Sequence, residues 1–126
     1  MANRNFKPGA LALEQGTVKL YAKFTVGAAN AITVNRGLGI ASIARTAAGK
    51  VTITLEDTYP ALLGITVVKS NASAAAEALV YSMVNEDVVS TKAIIVGFSN
   101  AAVPAFTDLT QGDVVYVELT LKNSGV

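Results

Sequence analysis

The segment Thr17-Val-Lys-Leu-Tyr-Ala-Lys-Phe-Thr-Val26 constrains this chain more than any other. Val18, Leu20, Ala22, Phe24 and Val26 face one way, and Thr17, Lys19, Tyr21, Lys23 and Thr25 face the other. A period of two belongs to a pleated strand with one face on a core and the other toward water. The rhythm returns in Lys50-Val-Thr-Ile-Thr-Leu55, and again in Asp113-Val-Val-Tyr-Val-Glu-Leu-Thr-Leu-Lys122, where Val115, Val117, Leu119 and Leu121 share a face. Such segments bury their apolar side only by pairing into sheets and stacking one sheet on another.

The rest of the chain fits that frame. Gly27–Asn30 reads as a turn, Ala31–Val34 as a short strand, Asn35–Gly39 as a loop and Ile40–Arg45 as a strand that turns at Ala47–Gly49. Asp57-Thr-Tyr-Pro60 is expected to cap one helical turn through Leu63 before Gly64 releases it. Strands follow from Leu63 or Ile65 to Lys69, from Leu79 to Val84, and from Lys92 to Phe98. Residues 71–77 are expected to be a small-residue loop, and Val103–Phe106 with Asp108–Asp113 a connection. No long amphipathic helix is present to cross between parallel strands. The reading is all-β: a single antiparallel β-sandwich of seven or eight strands over residues 17–126, preceded by an irregular N-terminal arm, 1–16.

At 126 residues the chain has the size of one domain. It contains no His, no Cys and no Trp. Imidazole and thiol are the usual neutral-pH base, the strongest nucleophile and the soft metal ligands, so the expectation is no enzyme, no metal and no cofactor. Apolar residues make up 52% of the chain and charged residues 15%, against about 25% in an average soluble domain. That leaves too little polar surface for a comfortable monomer, and self-association or cover by a partner is expected. Residues 1–50 carry seven cations against Glu14 alone, while 51–126 carry three cations against eight acids. Strands from the two halves interleaving in space would mix these charges. The net charge of +1 argues against nucleic-acid binding. Residues 1–16 lack the continuous apolar run of a signal peptide, and no stretch reaches the ~18 apolar residues of a membrane span, so the expected setting is a cytoplasm or a particle assembled there.

The motifs that imitate chemistry have plainer readings. Arg36-Gly-Leu-Gly-Ile-Ala-Ser42 looks like half a dinucleotide fingerprint, but a strand follows where a helix N-terminus should receive the pyrophosphate. Ala44-Arg-Thr-Ala-Ala-Gly-Lys-Val51 shares only Gly-Lys with a P-loop, lacking the first glycine and the Mg²⁺-binding hydroxyl. The pairs Glu56-Asp57 and Glu86-Asp87 read as turn acids. Asp108 and Asp113 bracket a turn without the spacing of a Ca²⁺ loop. Asn71-Ala-Ser73 is a formal glycosylation sequon. Tyr21, Tyr59, Tyr81 and Tyr116, scattered over four segments, read as core and interface packing.

Two longer stretches resemble a known family. Gly39-Ile-Ala-Ser-Ile-Ala-Arg-Thr-Ala-Ala-Gly-Lys-Val-Thr-Ile-Thr-Leu-Glu-Asp-Thr-Tyr-Pro-Ala-Leu-Leu-Gly64 and the closing 112–126 are similar to the capsid cement, or decoration, proteins of podovirus-like tailed bacteriophages. The shared pattern is a strand and turn, then Gly-x-Val-Thr-Ile-x-Leu-x-Asp-x-Tyr, then a Leu-Leu-Gly turn. The resemblance covers about a third of the chain. It implies a jelly-roll-like β fold, a virion protein on the capsid exterior, and shell stabilisation by bridging subunits of the major capsid protein. It also implies no enzymatic activity and a homodimer or, second, a trimer. Two other classes share such a fold: a carbohydrate- or receptor-binding β-sandwich module, and a tail or filament subunit.

The arm is the expected attachment device. Arg4 and Lys7 supply charge, and Phe6, Leu11 and Leu13 supply anchors. Each apolar side chain would contribute roughly 1.5–3 kcal/mol if fully buried on a partner.

Overall fold

The computed structural model describes residues 16–70, 79–100 and 103–123. Nine strands form two antiparallel sheets: β1 Thr17–Val26, β2 Ile32–Arg36, β3 Ile40–Ala47, β4 Lys50–Leu55, β5 Ala61–Ser70, β6 Leu79–Asp87, β7 Ala93–Asn100, β8 Val103–Phe106 and β9 Val114–Lys122. The first sheet runs β2-β1-β9-β5, and the second runs β3-β4-β7-β6 with β8 added beside β7. Among the described residues the one helical feature is a 3₁₀ turn, Ala28–Asn30, between β1 and β2.

The period-two segments form the centre. β1 and β9 pair in continuous register from Thr17↔Lys122 to Thr25↔Val114. β9 gives its other edge to β5, so it is hydrogen-bonded on both sides. Leu20, Ala22, Phe24 and Val26 of β1 and Val115, Val117, Leu119 and Leu121 of β9 are buried, as the alternation requires. They meet Val51, Ile53 and Leu55 of β4 and Ile94, Val96 and Phe98 of β7 in one cluster between the sheets. Each fully buried Val, Leu or Phe contributes roughly 1.5–3 kcal/mol relative to exposure, so this cluster dominates the stability of the sandwich.

Three expectations need correction or extension. The helical turn expected over Asp57–Leu63 is absent, and β5 begins at Ala61. Pro60 disfavours helix at the residue before it, and Ala61 and Leu62 find partners in Lys122 and Leu121 of β9. A register shift between Leu62 and Gly64 takes up the Leu-Leu-Gly turn as a bulge. The segment Val103–Phe106, expected as a connection, is a short strand. Among the described residues it pairs only with β7, a position that tolerates Pro104, which has no N–H to donate. Strand boundaries also lengthen: β2 runs to Arg36, β3 to Ala47 and β6 to Asp87. The arm residues Arg4, Phe6, Lys7, Leu11 and Leu13 and the loop expected at 71–77 lie outside the described residues.

A buried ion pair ties one end of the first sheet. Lys69 Nζ of β5 lies 3.4 Å from Asp113 Oδ2 just before β9, with side chains 3% and 2% exposed. The same carboxylate oxygen accepts the Thr110 backbone N–H at 2.9 Å. A charge so deeply buried persists only when paired and hydrogen-bonded, so the last loop is fixed against the end of β5.

Candidate functional site

The imitation motifs resolve into structure. The P-loop lookalike is the β3–β4 hairpin, with Gly49 at φ +68°, a left-handed turn position suited to glycine. Its backbone N–H does bind an anion, but one supplied by the chain: it donates to Asp108 Oδ1 at 2.8 Å. Arg45 grips the same carboxylate with two bonds, Nε to Oδ1 at 2.8 Å and Nη2 to Oδ2 at 2.9 Å. The Arg45 guanidinium, then the Gly49 N–H, hold the Asp108 carboxyl below its usual pKa, and the carboxylate in turn raises that of Arg45. A side chain on Gly49 would collide with Thr107 and Phe106, so the turn sits directly on the loop that leaves β8.

The Glu86-Asp87 pair holds the turn that follows β6, as expected from sequence. Asp87 accepts from the Ser90 and Thr91 backbone N–H groups at 3.0 and 3.3 Å and from both their hydroxyls. These bonds, led by the Ser90 N–H, lower its pKa. Glu86 accepts the Val88 N–H at 3.1 Å. Among the described residues no group of three or more His, Cys, Asp or Glu could hold a metal ion. No helix there is long and apolar enough to cross a membrane.

The tyrosines divide. Tyr59 is buried in the core, where desolvation raises its pKa. Tyr81 stands at the β6 edge with its ring edge-on to Phe98, centroids 5.6 Å apart. Tyr21 and Tyr116 share the outer face of the first sheet, because β1 and β9 are neighbours and Tyr116 sits opposite Lys23, two residues along from Tyr21. Val68 lies opposite Tyr116 on its other side. Tyr21 and Val68 are 55% exposed and Tyr116 46%. The strand order that brings these three together leaves no local mark in the sequence, which is why scattered tyrosines read as packing.

Charge frames this face. Lys23 Nζ lies 5.2 Å from the Tyr116 ring centroid, a cation–π contact. Arg36 of β2 pairs in register with Lys23. Lys19 and Glu118 form an ion pair at 2.9 Å that raises the Lys19 pKa. Lys23 and Arg36 have no carboxylate partner among the described residues. The face is therefore aromatic at its centre and net basic. It forms a shallow depression of about 340 Å³ lined by Tyr21, Lys23, Arg36, Val68, Tyr116 and Glu118. The imbalance between the halves of the sequence is partly cancelled in space, since Lys19–Glu118 and Arg45–Asp108 each join one half to the other.

The second unusual surface is the open side of the sandwich, where β5 and β6 end their sheets. Val80, Tyr81, Met83 and Val84 of β6 are all exposed, on both faces of the strand. Between the sheet edges a groove of about 320 Å³ is lined by Ile65, Val67, Tyr81, Met83 and Val96. Apolar residues exposed together along an edge mark a contact surface rather than a solvated one.

The chain matches no family model, no curated protein and no solved structure.

Proposed function

We propose that the chain is a structural virion protein of a tailed bacteriophage, a capsid cement protein. In this reading it is made in the host cytoplasm, binds the capsid exterior as a homo-oligomer and bridges subunits of the major capsid protein. The observation that carries the reading is the outer face of the first sheet, where Tyr21, Tyr116 and Val68 lie exposed inside a rim of Lys23 and Arg36. Tyrosine and arginine are enriched at protein interfaces, and a nearly flat β surface suits another protein surface better than a small substrate. The adjacency of the first and last strands, β1 and β9, suits the jelly-roll-like wrapping that the resemblance implies.

The test is co-sedimentation with expanded empty shells of the tailed phage that, in this reading, encodes the chain. The expected result is saturable binding, with copies seen at fixed lattice positions by electron microscopy, and loss of binding in a Tyr21→Ala/Tyr116→Ala double variant that still melts near the wild-type temperature. No binding to expanded shells would overturn the reading.

One observation favours a second reading, a carbohydrate- or receptor-binding module: the Tyr21–Tyr116 pair beside Glu118 and Arg36 has the aromatic and polar groups a saccharide needs. With no tryptophan in the chain, tyrosine fluorescence reports on such binding directly. A saturable change on titration with glycans, absent in Tyr116→Ala, would favour the module over the cement protein.

A further inference from the structure

Every edge of a β-sheet offers unpaired N–H and C=O groups to another strand, and proteins guard such edges with charge, proline or cover. Among the described residues five strands have an open edge: β2, β5, β3, β6 and the short β8. β2 carries Arg36 and β8 carries Pro104, while Arg45 of β3 and Lys69 of β5 are held by Asp108 and Asp113. β6, Leu79-Val-Tyr-Ser-Met-Val-Asn-Glu-Asp87, carries no lysine, arginine or proline. Its two acids stand at its C-terminal end and are turned to their own backbone, Glu86 to Val88 and Asp87 to Ser90 and Thr91.

The exposed middle of β6 has a symmetry of its own. Read about Ser82, the segment Val80-Tyr81-Ser82-Met83-Val84 is a palindrome in character: valine at both ends, then a large flexible or aromatic residue, then serine. The register with β7 gives the faces. Tyr81 and Met83 lie opposite Phe98 and Val96, both buried, and so face inward. Ser82 lies opposite Gly97, and the Val84 side chain reaches the outer surface of that glycine, 3.0 Å from where a Cβ would stand. The bulge between Met83 and Asn85 therefore leaves Val84 on the same side as Ser82.

We propose that β6 is the self-association strand, pairing antiparallel with β6 of a second copy across a two-fold axis at Ser82. A two-fold contact uses one patch twice, so that patch must be complementary to itself. This one is. In that register Val80 of each copy faces Val84 of the other on the outer side, and Ser82 faces Ser82. On the inner side Tyr81 faces Met83, a favourable sulfur–aromatic pairing, in both directions. Glu86 and Asp87 of the two copies fall at opposite ends of the paired stretch, so the acids of one β6 do not face those of the other. The pairing continues the second sheet across the axis and covers the groove of Tyr81, Met83, Ile65, Val67 and Val96. It specifies the strand and register of the self-association included in the reading above, and leaves the tyrosine face of the first sheet free.

The chain has no cysteine, which makes the test clean. Residues directly opposite in an antiparallel pair have Cα atoms about 4.5–5.5 Å apart, within disulfide reach. The wild-type protein is expected to show a dimer mass by light scattering at tens of micromolar. Mild oxidation should link the Ser82→Cys variant covalently to itself, and should not link Tyr21→Cys on the other sheet. Ser82→Lys should weaken dimerisation by about tenfold or more by placing like charges opposite each other, and mixing it with Ser82→Glu should restore dimers. A monomeric wild-type protein would overturn the proposal. So would a dimer that survives Ser82→Lys and is not linked through Ser82→Cys. These readouts involve no capsid, so they are independent of shell binding.

Discussion

β9 and β6 have the same length and comparable apolar content, yet they play opposite parts. β9 lies between β1 and β5, and its apolar residues Val115, Val117, Leu119 and Leu121 all point into the core. β6 has β7 on one side only among the described residues, and its apolar residues Val80, Tyr81, Met83 and Val84 remain exposed on both faces. A strand that completes its own sandwich buries one apolar face and leaves a mixed face outside, where Tyr116 is the exposed aromatic of β9. A strand that is apolar on both faces at an edge is built for a contact beyond the monomer. Composition alone does not distinguish the two; the distribution between faces does.

The largest test of this contrast is a pair of truncations. Leu119→Ala removes a fully buried side chain from β9 and should cost about 2–5 kcal/mol in denaturant unfolding. Met83→Ala on β6, measured at concentrations low enough to keep the protein monomeric, should cost less than about 1 kcal/mol because the side chain is 47% exposed. Equal losses at the two sites would break the comparison. At high concentration the Met83→Ala penalty should grow, since the dimer then contributes to stability.

A smaller effect sharpens the boundary between core and edge at Gly97. The Phe106 ring lies against this glycine, so a Cβ there would collide with it and crowd Val84 as well. Gly97→Ala should destabilise by about 1–3 kcal/mol, and Phe106→Leu in the same chain should restore part of the loss. A neutral Gly97→Ala would mean that Phe106 is not held over the sheet.

The smallest effect is electrostatic. Asp87 and Asp108 both have folded-state pKa values below their ordinary 3.8. Their contribution to stability is therefore present in full above the unfolded value and is lost as pH falls through the depressed folded values. Urea midpoints should be flat between about pH 7 and pH 5 and fall below about pH 4. Asp108→Asn should make that acid fall shallower while lowering the midpoint slightly at neutral pH. An unchanged acid profile would show that the Arg45–Asp108 contact contributes nothing in solution.

Much of the fold was legible in particular residues. The alternations at Thr17–Val26, Lys50–Leu55 and Val114–Lys122 fixed the extents of β1, β4 and β9, because strands with one buried face leave a period in the sequence. The start of β5 was not legible. Asp57 and the leucines after Pro60 carry a local capping signal, and the free edge of β9 outweighs it. β8 was hidden by Pro104, which locally argues against a strand. The surfaces were less visible than the fold. The clustering of Tyr21, Tyr116 and Val68 depends on the order β1-β9-β5, a long-range fact. The anion held by Gly49 comes from Asp108, far along the chain. The self-complementary run around Ser82 stood in the sequence throughout, but it gained meaning only when β6 proved to be an edge.

The pairing of β1 with β9 has one more consequence. The Asn123 N–H donates to the Gly16 carbonyl at 2.6 Å, so the two ends of the sandwich are hydrogen-bonded neighbours. The domain is a nearly closed ring of chain, and anything attached before Gly16 or after Asn123 leaves from the same corner. A short linker across that corner, with new ends opened elsewhere in a surface turn, would preserve every strand pair. Joined in series through the same corner, such sandwiches would hang like beads from a single point of attachment, each free to turn its tyrosine face in its own direction.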